Sequence, residues 1–436
     1  MSITSNILFI LALSLVGGKG FSQETKSRVT VEDVKKYAIQ NNLEIKALKH
    51  ELQASEYAAN RAAARFYPEL GAAGGFENSI SDEKVESGGI GYVYGRLNLF
   101  RGFADVNQVK RDKIATEINA HKLKVAEFQV GLAVEKYFHE YIFLKRLVSH
   151  TESAIGLNET QQKNVQRMRQ SGLASEADVM EFELQDALLK SEIVSANQAL
   201  EEARVNLKRF LGEEVGTKIE PAGDLMHEHL QGTLMDYIQK VHESNDAIVN
   251  ATKVASLATQ DVKLANAKLF PEIDFEVQSG LLPLDQRPED DGMSTNLLLI
   301  AKYPLFSGLE STYARKEKIS LELSAQEHLK DKILNVISEV ETRYRRLKAI
   351  EKRVDLEKAN SLRAKKYFDT VSKEYRAGVK NSADARNAAS GVYEAATRED
   401  KFRYEFLIER IELEKALGSP VKTDVINDNS EEKAKS

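Results

Sequence analysis

The residues that could do chemistry are few and scattered. Of the eight histidines only two lie close together, in His227-Glu228-His229. A structural or catalytic metal ion needs three or four placed donors, and no partner ligands stand at suitable spacing from this trio. Gly88-Gly89-Ile90-Gly91 would cradle a phosphate only at the start of a helix. Here Ile90, Tyr92 and Tyr94 alternate with Gly91, Val93 and Gly95, which predicts a strand instead. No Gly-Lys-Ser/Thr loop, nucleophile elbow or cysteine occurs. Thiolate metal sites, disulfides and a lipidated N-terminal cysteine are therefore excluded. No catalytic residue, cofactor or metal site is expected, and the chain does not read as an enzyme. What remains is a matched pair of carboxylates, Asp178 and Asp384, each six residues after a glycine, Gly172 and Gly378. Taken singly, each reads as a solvated carboxylate in the first turn of a helix.

The elements around these aspartates are long. No proline occurs between Pro68 and Pro221 or between Pro304 and Pro420, and residues 309–377 contain no glycine. Nothing therefore forces a break, while Gly172 and Gly378 read as helix C-caps and reversals. The pattern predicts helices at about 30–66, 101–171, 174–211, 233–268, 307–377 and 379–417. At 1.5 Å per residue the two longest would each be roughly 105 Å, more than any compact domain holds. The composition agrees: 29% charged residues, no tryptophan and seven prolines suit long solvated helices. The fold class expected is mainly α with a small β part.

The chain is written twice. Thr30, Asp33, Asn42 and Ile45 fall on Thr233, Asp236, Asn245 and Ile248 at a displacement of 203. Phe66-Tyr67-Pro68-Glu69-Leu70 meets Leu269-Phe270-Pro271-Glu272-Ile273 at the same displacement, and Leu99-Phe100-Arg101-Gly102 meets Leu305-Phe306-Ser307-Gly308 at 206. The repeats expected are 23–212 and 233–418, joined by a mid-length connection at 213–232. Between the helices, at about 69–99 and 272–305, period-two alternation takes over. Glu272, Asp274, Glu276 and Gln278 oppose Ile273, Phe275 and Val277, so each repeat supplies one β-hairpin of about 10 to 12 residues per strand. Strands of roughly 9 to 11 residues suffice to cross a bilayer. Four strands cannot close a barrel, and open edges are not tolerated in lipid, so a membrane role demands oligomerisation.

Residues 1–22, with an apolar run from Ile7 to Val16, read as a secretory signal peptide. No later segment has 18 uninterrupted apolar residues, which excludes helical membrane spans but not a β-barrel. The net charge of −6 gives no invitation to nucleic acid. The polar tail, 419–436, is expected to be disordered. Long amphipathic helices also suit a structural coiled-coil protein of the cell envelope without a pore, and this alternative stands beside a channel.

From Thr30 to Gly418 the chain resembles the TolC-like outer-membrane efflux protein family, the outer-membrane factors of tripartite efflux or type I secretion systems. The resemblance is carried by Pro68-Glu69 and Pro271-Glu272, by Leu99 to Gly102 and Leu305 to Gly308, and by the two glycine turns with Asp178 and Asp384. It implies a homotrimer in the outer membrane that reaches into the periplasm. Four strands per protomer would form a 12-stranded transmembrane barrel in lipid, joined to a trimeric α-helical barrel. It also implies a periplasmic adaptor (membrane fusion protein) and an inner-membrane pump as partners. The implied gate comprises Tyr375, Asp384, Asp178, which the tyrosine contacts, and Lys380, which replaces a linking arginine and lacks its planar fork. Asn387 stands where some members carry a second aspartate, so one acidic ring is expected; three Asp384 carboxylates would favour cations. The turns at Gly172, Leu173 and Ala174 and at Gly378, Val379 and Lys380 would dock the adaptor. Efflux and type I secretion are not distinguished by these residues.

Overall fold

The structure, a computed structural model, describes residues 28–80, 85–211, 220–226, 228–286, 292–306 and 308–425. The expected signal peptide and the tail beyond 425 lie outside these residues. In chain order the elements are β1 (Arg28–Val29), α1 (Val31–Asn41), α2 (Leu43–Ala64), β2 (Glu69–Ile80), β3 (Val85–Arg101), α3 (Ala104–Gln170), α4 (Glu176–Leu211), β4 (Glu220–Pro221) and β5 (Glu228–Leu230). They continue with α5 (Leu234–Ser244), α6 (Asp246–Ala267), β6 (Glu272–Leu281), a 3-10 turn (Leu284–Gln286), β7 (Ser294–Lys302), α7 (Glu310–Arg376), α8 (Ser382–Leu417) and β8 (Thr423–Val425). Both α3 and α7 have 67 residues, and both α4 and α8 have 36. A 67-residue helix is about 100 Å long.

Two helices expected as single rods are each broken at an asparagine. Asn42 (φ −60°, ψ 126°) separates α1 from α2, and Asn245 (φ −68°, ψ 125°) separates α5 from α6. A short amide can leave the helix and still cap the next one. Asn42 Oδ1 accepts from Ile45 N at 3.0 Å, and Asn245 Oδ1 accepts from Ala247 N at 2.9 Å and Ile248 N at 3.2 Å. Buried Asn245 also donates to the Ala416 carbonyl at 2.8 Å. Asn245→Ala should therefore cost about 2 to 3 kcal/mol against about 1 kcal/mol for Asn42→Ala, read by thermal unfolding.

Strand β3 runs 17 residues to Arg101, so the helix expected from 101 begins only at Ala104. Gly102 and Phe103 intervene with φ of 58° and 68°, a left-handed pair that ends the strand and cannot belong to a right-handed helix. Gly308 and Leu309 repeat the device at 64° and 66° before α7. The tail is also ordered further than expected. β8 pairs antiparallel with β5, Gln231 N donates to the Lys422 carbonyl at 3.2 Å, and Val421 is buried. Buried Val421 and the β5–β8 pairing dock a segment whose composition is otherwise polar.

Four strands form one antiparallel sheet in the order β2-β3-β6-β7. The helices follow the same order. Near the sheet, α3 lies between α2 and α6: Thr116 Oγ1 donates to the Ser55 carbonyl at 3.1 Å and Arg111 Nε pairs with Asp261 at 2.6 Å. Farther along, α3 lies between α4 and α8, with Asn158 donating to the Phe182 carbonyl at 3.0 Å and Thr151 bonded to Tyr393 at 3.2 Å. α7 packs on α6 and then on α8. Each short helix thus continues another to make a rod, and the chain is a ribbon of four rods topped by four strands. The main core lies mid-length, where Phe138, Tyr141, Leu207, Tyr237, Leu347, Phe406 and Leu413 meet from five helices.

Candidate functional site

The ends of the rods remote from the sheet are two near-identical turns. Leu173 N donates to the Met168 carbonyl at 2.8 Å and Gly172 N to Arg169 at 2.9 Å; Val379 N donates to Glu374 at 2.9 Å and Gly378 N to Tyr375 at 3.0 Å. This is the Schellman pattern, and both glycines supply its left-handed position at φ 75°. Leu173 and Val379 are left 74% and 73% exposed at the apices.

The two aspartates then diverge. Asp178 is engaged twice: Ser175 donates its N–H and hydroxyl to one carboxylate oxygen at 2.8 and 2.7 Å, and the Ser382 hydroxyl of the other turn bonds the second. Those bonds, the Ser382 one first, hold its pKa below the ordinary range. Asp384 is partly exposed; its backbone N–H is capped by Asn381 Oδ1 at 2.8 Å and its carboxylate lies 3.7 Å from Lys380 Nζ. Tyr375 is buried with Val165, Val179, Phe182 and Ala385. Burial pushes its pKa up, with help from the charges of Asp178 and Glu181. The expected Tyr375–Asp178 contact is not a hydrogen bond: the buried Tyr375 hydroxyl has no hydrogen-bond partner among the described residues, and it is Ser382 that bonds Asp178. Asn387 accepts from Arg386 at 3.0 Å, and Arg386 also reaches Glu181 at 3.2 Å. Ser382 escaped the sequence reading, yet a signal existed: it stands where the first repeat has Glu176, a break in the duplication.

The sheet has two unlike faces. On one, Leu70, Phe76, Val93, Leu297 and Leu299 are 60% to 81% exposed. On the other, Arg96 Nε pairs with Glu276 at 3.2 Å, Gln278 donates to Glu276 at 2.7 Å, and Arg101 lies 3.8 Å from Asp274. Where sheet meets helices, Phe100, Phe103 and Phe270 pack edge to face at 5.2 and 6.3 Å between ring centroids. An apolar face above such an aromatic band suits a strand set in lipid. Among the described residues no helix is long and apolar enough to cross a membrane.

The outer membrane efflux protein family matches residues 35–213 and 237–419. The chain belongs to that family. No curated protein sequence matches it. Solved structures share the fold at low identity: CusC (14% identity, 89% of this chain and 92% of that one, TM-score 0.78), VceC of Vibrio cholerae (14%, 90% and 97%, 0.76) and the CmeC outer membrane channel of Campylobacter jejuni (12%, 99% and 97%, 0.75). The protein is thus an outer-membrane efflux protein with the fold of solved outer-membrane channels, and the envelope scaffold without a pore is not supported. In this channel His229 is a brace: its Nδ1 lies 2.7 Å from the buried Glu351 on α7. His227 lies outside the described residues, among which no three metal-binding side chains gather.

Proposed function

We propose that three copies of this channel close into a duct, with a 12-stranded barrel in the outer membrane and a tunnel of 12 helical rods across the periplasm. The observation that carries this reading is the ribbon's shape. Strands and rods run in one order, and both leave the same two edges open, β2 with α2 and α4 on one side and β7 with α7 on the other. Open edges in lipid would leave backbone groups unpaired, and cyclic repetition removes them. The free helical edges carry apolar side chains, Met180, Leu184 and Leu188 on α4 and Leu356, Leu362 and Tyr367 on α7, all more than half exposed.

In this duct the distal turns form the periplasmic gate, and a periplasmic adaptor coupled to an inner-membrane pump docks on Gly172, Leu173, Ala174, Gly378, Val379 and Lys380. Asp384, partly exposed and facing Lys380, is the gate's more available carboxylate, since Asp178 is already bonded to Ser382 of the other turn. The test is single-channel conductance in planar bilayers of native protein and Asp384→Ala. Cation-preferring openings whose selectivity falls in the variant are expected. Unchanged selectivity would remove Asp384 from the constriction, and failure of folded protein to insert would overturn the barrel.

A further inference from the structure

The two hairpins are unequal. Pairing of β3 with β6 stops at Gly91 opposite Leu281, whereas β2 and β3 stay paired six residues further, to Ile80 opposite Val85. The chain leaving β6 does not climb beside this longer hairpin. Gly280 has φ 141°, and a Cβ there would stand 2.5 Å from the Gly91 carbonyl and 2.7 Å from Tyr92 Cα, so the backbone presses onto β3 as only glycine allows. Leu282 is completely buried although it lies past the strand's end. Two residues on, Leu284 N donates to Glu77 Oε2 on β2 at 2.9 Å. The segment therefore crosses from β6 over β3 to β2, about 10 Å at ordinary strand spacing.

The face it crosses is fixed by alternation. Glu77 pairs with Gly88, which shares its side of β3 with Tyr92, Tyr94 and Arg96, the partner of Glu276. This is the polar face. In the barrel proposed above, on which this inference rests, the polar face lines the lumen. The geometry points to an outer sieve: Leu282–Gln286, tied to Glu77, folds into the lumen at the end remote from the helices and limits the size of solutes entering from outside. Leu282, Pro283 and Leu284 lie against the wall while Asp285 and Gln286 stay exposed. A charge-assisted bond, a buried leucine and a glycine-only approach together fix the segment there.

The absence of cysteine from the chain makes the test clean. Tyr94→Cys places one thiol on the lumenal face beneath the segment, and Val93→Cys places one on the lipid face. Cells carrying the full chain are labelled from outside with a small maleimide or a bulky polyethylene-glycol maleimide. The small reagent should label Tyr94→Cys whatever stands at position 77. The bulky one should label it slowly, and about tenfold faster when Glu77→Ala is added, the shift expected from losing one hydrogen bond to a charged group. Glu77→Gln, which keeps an acceptor, should stay near native. If Glu77→Ala does not assemble, Pro283→Gly combined with Leu284→Gly should give the same gain. Fast bulky labelling in the native protein would overturn the sieve and leave the barrel standing. If Val93→Cys took the small reagent and Tyr94→Cys refused it, barrel and sieve would fall together.

Discussion

Glu135→Ala should destabilise the channel by about 3 to 5 kcal/mol, the cost of stripping one partner from a buried ion cluster. Glu135 sits mid-length on α3 and holds two other helices: Lys35 Nζ of α1 and Arg410 Nη2 of α8 each lie 2.5 Å from it, with His139 Nε2 at 3.6 Å. Burial alone would raise its pKa. The His139 interaction and the Arg410 and Lys35 charges overcome burial and bring it to about 2, from an ordinary 4.5. That difference corresponds to about 3 kcal/mol. Because the folded-state value is depressed, this stability is present above about pH 4.5 and is lost as pH falls through 2. Thermal unfolding of detergent-solubilised protein between pH 5 and about 2 should therefore lose midpoint steeply in the native chain and more gently in Glu135→Gln. Parallel slopes would show that the cluster does not carry the acid sensitivity. Nearby Glu414, pushed up by burial, accepts from Val421 N at 3.1 Å, so the same region anchors the start of β8.

None of that cluster could be read from the sequence. Glu135 and His139 are an ordinary pair one turn apart on α3, and only the packing of α1 and α8 against α3 brings Lys35 and Arg410 to them. What could be read was whatever glycine, proline and alternation mark: the turns at Gly172 and Gly378, the long uninterrupted helices, and the hairpins entered at Pro68 and Pro271. Marks of other kinds were missed. Asn42 and Asn245 break helices by capping the next one, and asparagine at mid-helix carries no such message by itself. At the tip, duplication marked Asp178 and Asp384 as a matched pair, and the family resemblance alone told their roles apart. The structure gives one to the cross-turn bond of Ser382 and leaves the other facing Lys380, because the second repeat changed a neighbour and not the aspartate.

The same divergence makes a sharp prediction for Gly102 and Gly308, which the sequence presents as equals. Both adopt left-handed backbone, and alanine there costs roughly 1 to 2 kcal/mol from that alone. Gly308 has open space where a Cβ would stand, so Gly308→Ala should cost little more. At Gly102 the new atom would lie 2.3 Å from the Ala267 carbonyl oxygen and 2.7 Å from Phe270 Cβ. That carbonyl already accepts from Phe270 N at 3.1 Å at the end of α6. Gly102→Ala must therefore displace the α6–β6 junction, adding about 1 to 3 kcal/mol of overpacking. Neighbouring Phe103, itself left-handed, would lose its edge contacts to Phe100 and Phe270 as the junction moved. This junction joins the sheet to the helical rods, so the damage should appear in assembly of the proposed trimer before it appears in helix content. Gly102→Ala should leave less heat-resistant assembled channel in the outer membrane at unchanged expression, with Gly308→Ala near native. Equal losses would mean that left-handed strain, and not the close approach to α6, dominates at both exits.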